Sequence, residues 1–229
     1  MKAMILAAGF GKRMKEVTKK LPKSLISIGD KTLLERTIEN LVNFGIKEIV
    51  INVSWLSELI MSQIGDGIKY GAKIHWSEEV HPLETGGGIY KALDILGNKP
   101  FITINGDIWI KPEAIKLLLD NYKVHMPGLL LLATNPDHNS QGDFSIESGL
   151  IAYETPRHTF AGLSILSKQL FELHDPSIKK FPLIDIFNLW IEKKDLFGIY
   201  YQGPWFDVGT KERLFLSLIH ISEPTRPSQ

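Results

Sequence analysis

The chain contains no cysteine. That excludes a disulfide framework, a thiolate zinc site and a cysteine nucleophile. It has no excess of charge of either sign, since 26 Lys and Arg face 26 Asp and Glu and the formal net charge is zero. A broadly cationic surface for nucleic acid or anionic lipid is therefore excluded, and only a local basic site remains open. No apolar run approaches the roughly 20 residues that span a bilayer. The apolar start from Met1 to Gly9 is too short for a signal peptide, and Gly9 to Lys12 is no cleavage region, so a cytoplasmic protein with no membrane partner is expected. No repeat or low-complexity segment is present. No serine sits in a Gly-x-Ser-x-Gly elbow, which leaves a hydrolase triad unsupported. The seven histidines, His75, His81, His125, His138, His158, His174 and His220, show no paired metal-ligand spacing and read as surface or satisfied core residues.

What is there is an ordinary globular composition over 229 residues, 44% hydrophobic and 23% charged, long enough for a sizeable core. Apolar runs alternate with helical patterns from the start. Ala3 to Ala7 reads as a buried strand ended by Gly9. Thr32-Leu33-Leu34-Glu35 is a capping box opening a helix whose apolar side carries Leu34, Ile38, Leu41 and Val42, with Gly45 as its stop. Glu48 to Val53 reads as a strand, and Ser54 can cap a helix through Ile64, closed by Gly65. Ala72 to Ser77 is a strand, followed by a glycine-rich turn and a helix through Leu96. Phe101 to Asn105 is a further buried strand, Pro112 opens a helix through Tyr122, and Gly128 to Ala133 reads as a central strand.

This alternation predicts an α/β fold, a three-layer sheet with helices on both faces that binds ligands at the carboxyl ends of its strands. The second half changes texture. Phe144 to Ile146 and Leu150 to Tyr153 read as a hairpin, Thr159 to Leu166 as a strand, Ser167 to Leu173 as a short helix, Phe181 to Ile191 as a helix and Leu196 to Tyr201 as a late strand. No linker divides the halves, so one domain over 1–215 is expected. The tail from Leu216 to Gln229 resembles a translated sequencing adapter and reads as non-native, the plain alternative being a frayed terminus.

The strongest local signal is Leu6-Ala7-Ala8-Gly9-Phe10-Gly11-Lys12-Arg13-Met14 after the first strand. Glycines let a backbone approach a ligand closely, and exposed N–H groups can hold phosphate oxygens. A dinucleotide loop is a weak match, because Met14 stands at its third glycine. A Walker loop fails, because no glycine lies five positions before Gly11 and Arg13 follows Lys12. An ordinary tight turn with solvated basic residues is the plain alternative. In Leu21-Pro22-Lys23-Ser24-Leu25, the proline fixes the backbone before a lysine suited to a phosphate contact, or simply to the surface. Asn105-Gly106-Asp107 ends a strand with an acid, and Trp205-Phe206-Asp207-Val208-Gly209-Thr210 supplies another. Each aspartate suits a hard divalent cation, and each also suits a turn. Trp109 and Trp205 stand nearest these acids in the chain.

The glycine loop with its arginine, followed by Pro-Lys, resembles the sugar-nucleotide pyrophosphorylases, the nucleotidyltransferases acting on sugar 1-phosphates. Pro82-Leu83-Glu84-Thr85-Gly86-Gly87-Gly88-Ile89 and the two aspartate segments extend the resemblance to Phe215. Ser24 departs from the family's usual proline, and no lysine follows Glu154 as in many relatives.

The resemblance implies a Rossmann-like, mostly parallel mixed sheet of the nucleotide-diphospho-sugar transferase type, with 1–135 mainly binding nucleotide and 136–215 mainly binding sugar. It implies that Ala8, Gly9, Gly11 and Asn105 meet the nucleotide and that Gly86 and Gly87 lie against the base. Arg13 and Lys23 would act on the phosphates, and Asp107 and Asp207 would ligate Mg²⁺. Gly142, Asp143, Glu154, Thr159 and Gly162 would surround the sugar. Within the family, the Glu-Thr-Gly-Gly-Gly and Trp-x-Asp-Val-Gly-Thr segments are most similar to the branch that transfers uridylyl from UTP to N-acetylmuramate 1-phosphate. A guanylyltransferase for mannose or heptose 1-phosphate is the nearest alternative. A glycosyltransferase would usually show Asp-x-Asp, where this chain has Asn105 before Asp107. A non-catalytic sensor would not need to keep Arg13, Lys23, Asp107 and Asp207 together.

Overall fold

The computed structural model describes residues 1–9 and 21–208. Gly11 and Arg13, the residues from Gly209 onward and the suspected non-native tail lie outside the described residues. In chain order the elements are β1 (Lys2–Leu6), β2 (Ser27–Ile28), β3 (Lys31–Thr32), α1 (Leu33–Asn43), β4 (Glu48–Val53), α2 (Ser57–Ile64), β5 (Lys73–Glu78), α3 (Glu84–Leu96), β6 (Phe101–Asn105) and β7 (Ile108–Ile110). They continue with α4 (Pro112–Asn121), β8 (Gly128–Ala133), β9 (Ser145–Glu147), β10 (Leu150–Ala152), β11 (Thr159–Leu166), α5 (Leu183–Glu192), β12 (Phe197–Tyr201) and β13 (Trp205–Asp207).

Nine strands form one sheet in the order β5-β4-β1-β6-β11-β8-β12-β10-β9. The first four are mutually parallel, and β12 is parallel to β8. Only β11 and β10 run against the rest, so the sheet is mixed and mostly parallel. Side chains alternate between faces along a strand, so a strand buried on both sides reads as continuously apolar. Ala3, Ile5, Ile49, Ile51, Leu129 and Leu131 pack into one layer with Leu34, Ile38 and Leu41 of α1, Ile60 and Ile64 of α2 and Leu118 of α4. Met4, Val50, Leu130 and Leu132, the intervening residues, pack into the other layer with Ile89 and Leu93 of α3 and Ile186, Phe187 and Trp190 of α5. Each Val, Leu, Ile, Met or Phe among them contributes roughly 1.5–3 kcal/mol by leaving water.

Helix α1 starts on the expected capping box, with Thr32 Oγ1 accepting from Glu35 N–H at 3.2 Å and Thr32 N–H donating to the Glu35 carboxylate at 2.9 Å. Three expectations are corrected. Helix α2 begins at Ser57, behind Leu56 in the left-handed region at φ 54°, and Ser54 does not cap it. The segment after Ser167 is a short 3-10 turn, Lys168–Phe171. The three glycines at 86–88 are no loop; they form the first turns of α3. Close packing explains them. A Cβ on Gly86 would stand 2.5 Å from the Phe181 ring, on Gly87 2.3 Å from the Lys179 carbonyl oxygen, and on Gly88 2.7 Å from both Asn52 and Glu79. The helix accepts the glycine penalty, about 1 kcal/mol each, to lie against these neighbours.

Candidate active site

The chain leaves β1 toward β4 and β5 on one side and returns through α3 to β6 on the other. The strand order therefore reverses between β1 and β6. An open α/β sheet leaves a crevice at such a point, outside the carboxyl ends of its strands. Ala7, Ala8 and Gly9 follow β1 there, Asn105 ends β6, and Gly106 N–H donates to the Leu6 carbonyl at 2.9 Å, binding the two turns together.

A cavity of about 780 Å³ occupies this crevice. Ala8, Gly9, Lys23, Asn105 and Asp107 line it. Asn52, Glu79, Pro82, Glu84 and Thr85, from β4 and from the segment after β5, also belong to its lining. Gly86 and Gly87 are not part of its wall: they face the 179–181 segment, and Gly87 N–H is spent on the Phe181 carbonyl at 3.0 Å.

A second cavity of about 760 Å³ adjoins the first and shares Asn105 and Asp107 with it. Thr159, Gly162, His138, Trp205 and Asp207 belong to its wall. Strand β11 is irregular between Phe160 and Ser164, and Gly162 sits in that irregularity at φ +73°. A Cβ there would meet the Asn105 amide at 2.5 Å, so only glycine leaves room for Asn105 at the junction of the two cavities.

Gly142, Asp143 and Glu154, expected around the sugar, do not line this cavity. The Asp143 carboxylate accepts from Phe160 N–H at 2.8 Å and from the Asn139 amide at 3.0 Å, which holds the loop beneath the cavity. Gly142, at φ +66°, packs against the Arg157 carbonyl, and Glu154 is exposed in the irregular segment between β10 and β11.

The two aspartates are brought together by a feature the sequence did not announce. Strands β7 and β13 form a two-stranded antiparallel ribbon in which Asp207 pairs with Ile108. Val208 N–H donates to the Asp107 carbonyl at 2.8 Å. The Trp205 indole donates to the Ala161 carbonyl at 2.7 Å and ties the ribbon to β11, and Trp109 packs on Phe206 with ring centroids 5.6 Å apart. Trp109 and Trp205 thus carry the ribbon that carries the acids.

Opposite stands Lys23. Pro22 holds an extended conformation (φ −57°, ψ 144°) and the turn Lys23–Leu25 follows, closed by Leu25 N–H to the Pro22 carbonyl at 3.0 Å. The lysine side chain is only 11% exposed, and its Nζ lies 3.1 Å from Asp107 Oδ2. His138 Nε2 lies 3.6 Å from Asp207 Oδ2. The site thus pairs each carboxylate with a nitrogen group at the seam of two cavities, a layout suited to holding anionic groups from both sides.

Sequence reasoning missed Asn52, Glu79 and His138. Asn52 and Glu79 carried a usable signal, being polar residues at or just past the carboxyl ends of the parallel strands β4 and β5. His138 carried none, because it rides on a short 3-10 turn, Asp137–Asn139.

A family model described as Nucleotidyl transferase matches residues 2–142. The chain is 37% identical over 222 residues to the N-acetylmuramate alpha-1-phosphate uridylyltransferase of Neisseria meningitidis, covering 93% of this chain and 95% of that protein. It is 28% identical over 228 residues to the D-glycero-alpha-D-manno-heptose 1-phosphate guanylyltransferase of Campylobacter jejuni, covering 96% and 100%. Among solved structures, HddC from Yersinia pseudotuberculosis complexed with GMP-PN superposes with a TM-score of 0.78 at 24% identity, covering 96% of this chain and 99% of that one. A Bacillus anthracis protein crystallised with a sucrose superposes at 0.83 with 19% identity, covering 100% and 98%. The last two establish the shared fold. With the matched family model and the near full-length relatives, the chain belongs to the nucleotidyl transferase family, among the sugar-1-phosphate nucleotidyltransferases.

Proposed function

We propose that the chain transfers a uridylyl group from UTP to a sugar 1-phosphate, N-acetylmuramate 1-phosphate by likeness to the Neisseria relative. The observation that carries this reading is the junction itself: two cavities meet at Asn105 and Asp107, with Asp207 and Lys23 beside them. Group transfer between two substrates needs one point reached from two sides. The first cavity follows the strand ends β6, β1, β4 and β5, three inter-strand steps or about 14 Å. That length suits a nucleotide lying with its phosphates at Asp107 and its base toward Pro82 to Thr85. The sugar 1-phosphate then enters from the β11 side.

In this reading a phosphate oxygen of the sugar 1-phosphate attacks the α-phosphorus of UTP. A new P–O bond forms, the bond from the α-phosphorus to the bridging oxygen breaks, and pyrophosphate leaves in line. No general base is needed, because the attacking phosphate is already ionised near neutral pH. Two anions must approach each other, so catalysis consists of positioning and charge neutralisation. Lys23 supplies a fixed ammonium in a water-poor pocket, and the backbone of Ala7 to Gly9 approaches the phosphates. By the likeness of its loop, Arg13 receives the leaving pyrophosphate.

Among the described residues no group of three or more His, Asp or Glu side chains could hold a metal. Two carboxylates nevertheless fit Mg²⁺, which takes one or two from a protein and completes its shell with water and substrate phosphates. Asp107 and Asp207 would hold it. When bound, the ion neutralises and polarises the α-phosphate.

The relatives also favour a second reading, a guanylyl transfer to mannose or heptose 1-phosphate. Pyrophosphate release from UTP, GTP and dTTP, each with these three sugar 1-phosphates, decides between them. UTP with N-acetylmuramate 1-phosphate should give the highest kcat/KM. A GTP pair faster by tenfold would replace the reading, and no release with any pair would end it.

A further inference from the structure

The two ends of the nucleotide cavity are joined by a chain of hydrogen bonds that runs through two buried side chains. Ala7 N–H, in the loop after β1, donates to Asn52 Oδ1 at 2.9 Å. Asn52 Nδ2 donates to Glu79 Oε1 at 2.7 Å, and Leu83 N–H donates to Glu79 Oε2 at 2.8 Å. Asn52 and Glu79 are 3% and 4% exposed. Buried polar groups must stay paired, so a movement at one end of this chain has to be answered at the other. Gly88 completes the arrangement from behind, since a Cβ there would press on both Asn52 and Glu79 at 2.7 Å.

We propose that Asn52 and Glu79 are positioning residues that couple the nucleoside end of the cavity, at Leu83 to Thr85, to the phosphate end, at Ala7 to Gly9. The bridge rests on the nucleoside-triphosphate reading of the cavity. Its consequence is that a correctly seated base arranges the phosphate loop, so base recognition is expressed in the placement of the α-phosphate. Base selectivity then depends on buried polar residues of the cavity wall as well as on those touching the base.

The bond pattern allows a reciprocal swap. Asn52→Asp alone sets two carboxylates against each other. Glu79→Gln alone leaves one amide N–H facing another donor. The double variant, Asn52→Asp with Glu79→Gln, restores every link. The new carboxylate at position 52 accepts from Ala7 N–H and from the new amide at position 79, and the carbonyl of that amide accepts from Leu83 N–H. Calorimetry would measure the affinity of pyrophosphate with and without saturating uridine, with guanosine in parallel, on the full chain. Wild type should show a cooperativity factor of about 5 or more. Both single variants and Gly88→Ala should bring the factor near one while each fragment still binds, and the double variant should recover it.

An unchanged factor in the singles, a folded double variant that stays uncoupled, or no cooperativity in wild type would overturn the coupling alone. If a single variant fails to fold, Gly88→Ala and the double variant still decide. Failure of wild type to bind either fragment would overturn the nucleotide reading and the coupling with it.

Discussion

Replacing Lys23 with methionine keeps most of the side-chain volume and removes one charge. The ammonium lies 3.1 Å from Asp107 Oδ2, with side-chain exposures of 11% and 30%. At an effective dielectric near 20, the attraction at that distance is about 5 kcal/mol before solvation. Lysine desolvation offsets most of it, and water can reach the partly exposed carboxylate in its place. The net loss of stability should be about 1 kcal/mol. For a chain of this size that lowers Tm by about 2–4 °C. The effect on rate should be much larger, because the same cation then faces developing charge in a preorganised site. A loss of about 10²–10³ in kcat is expected, equivalent to about 3–4 kcal/mol. Pyrophosphate release at saturating UTP, sugar 1-phosphate and Mg²⁺, together with a thermal melt, measures both quantities. A fall in kcat of less than threefold at unchanged Tm would return Lys23 to the ordinary surface. A Tm loss above about 8 °C would make it a structural residue instead.

Asp207→Asn should keep its fold, since the β7–β13 pairing uses backbone groups, yet lose at least about 10² in turnover; near-normal turnover with Mg²⁺ would remove the metal assignment. Gly162→Ala should cost about 1–2 kcal/mol from its left-handed backbone and, by displacing Asn105, slow turnover as well; full activity would show that Asn105 is not needed at the junction. Thr32→Ala should cost about 1 kcal/mol by removing the α1 cap, seen as a lower urea midpoint with kcat unchanged. Stability should also decline in alkali. Burial pushes the Tyr201 phenol up to about 12, and burial followed by the bond to Glu35 raises Tyr70 as well. A phenol that titrates near 10 when unfolded and higher when folded contributes fully below pH 10, and the contribution is lost as pH rises toward 12. Tyr201→Phe should flatten that decline in a urea-midpoint series, and superimposable curves would contradict it.

Much of the fold was legible because its signals are local. The continuous apolar runs at 48–53, 101–105, 128–133 and 159–166 have their observed boundaries as strands, since a strand buried on both faces needs no alternation. The capping box at Thr32 and the proline opening α4 are decided within one turn of chain. The glycines at 86–88 misled for a complementary reason. Glycine runs usually break helices, but here close contact with Phe181, Lys179, Asn52 and Glu79 outweighs propensity, and none of these neighbours is adjacent in sequence. Asp143 likewise meets a partner remote from it in the chain, its carboxylate accepting from Phe160 N–H as well as from Asn139.

The order of residues along the chain was enough to set the layered sheet, the loops at the ends of β1 and β6 and the chemical character of the site: a lysine behind a proline and two acids near tryptophans. Folding in three dimensions was needed to make the acids meet, through a ribbon of three residues on each strand, and to join Asn52 to Glu79 in the wall of the cavity. Hydrophobic periodicity is written into consecutive residues, because each strand repeats it every second position. Hydrogen bonds between Asp107 and Val208, or between Asn52 and Glu79, join segments remote in the chain. They exist only once burial of the apolar layers has brought those groups within about 3 Å of each other.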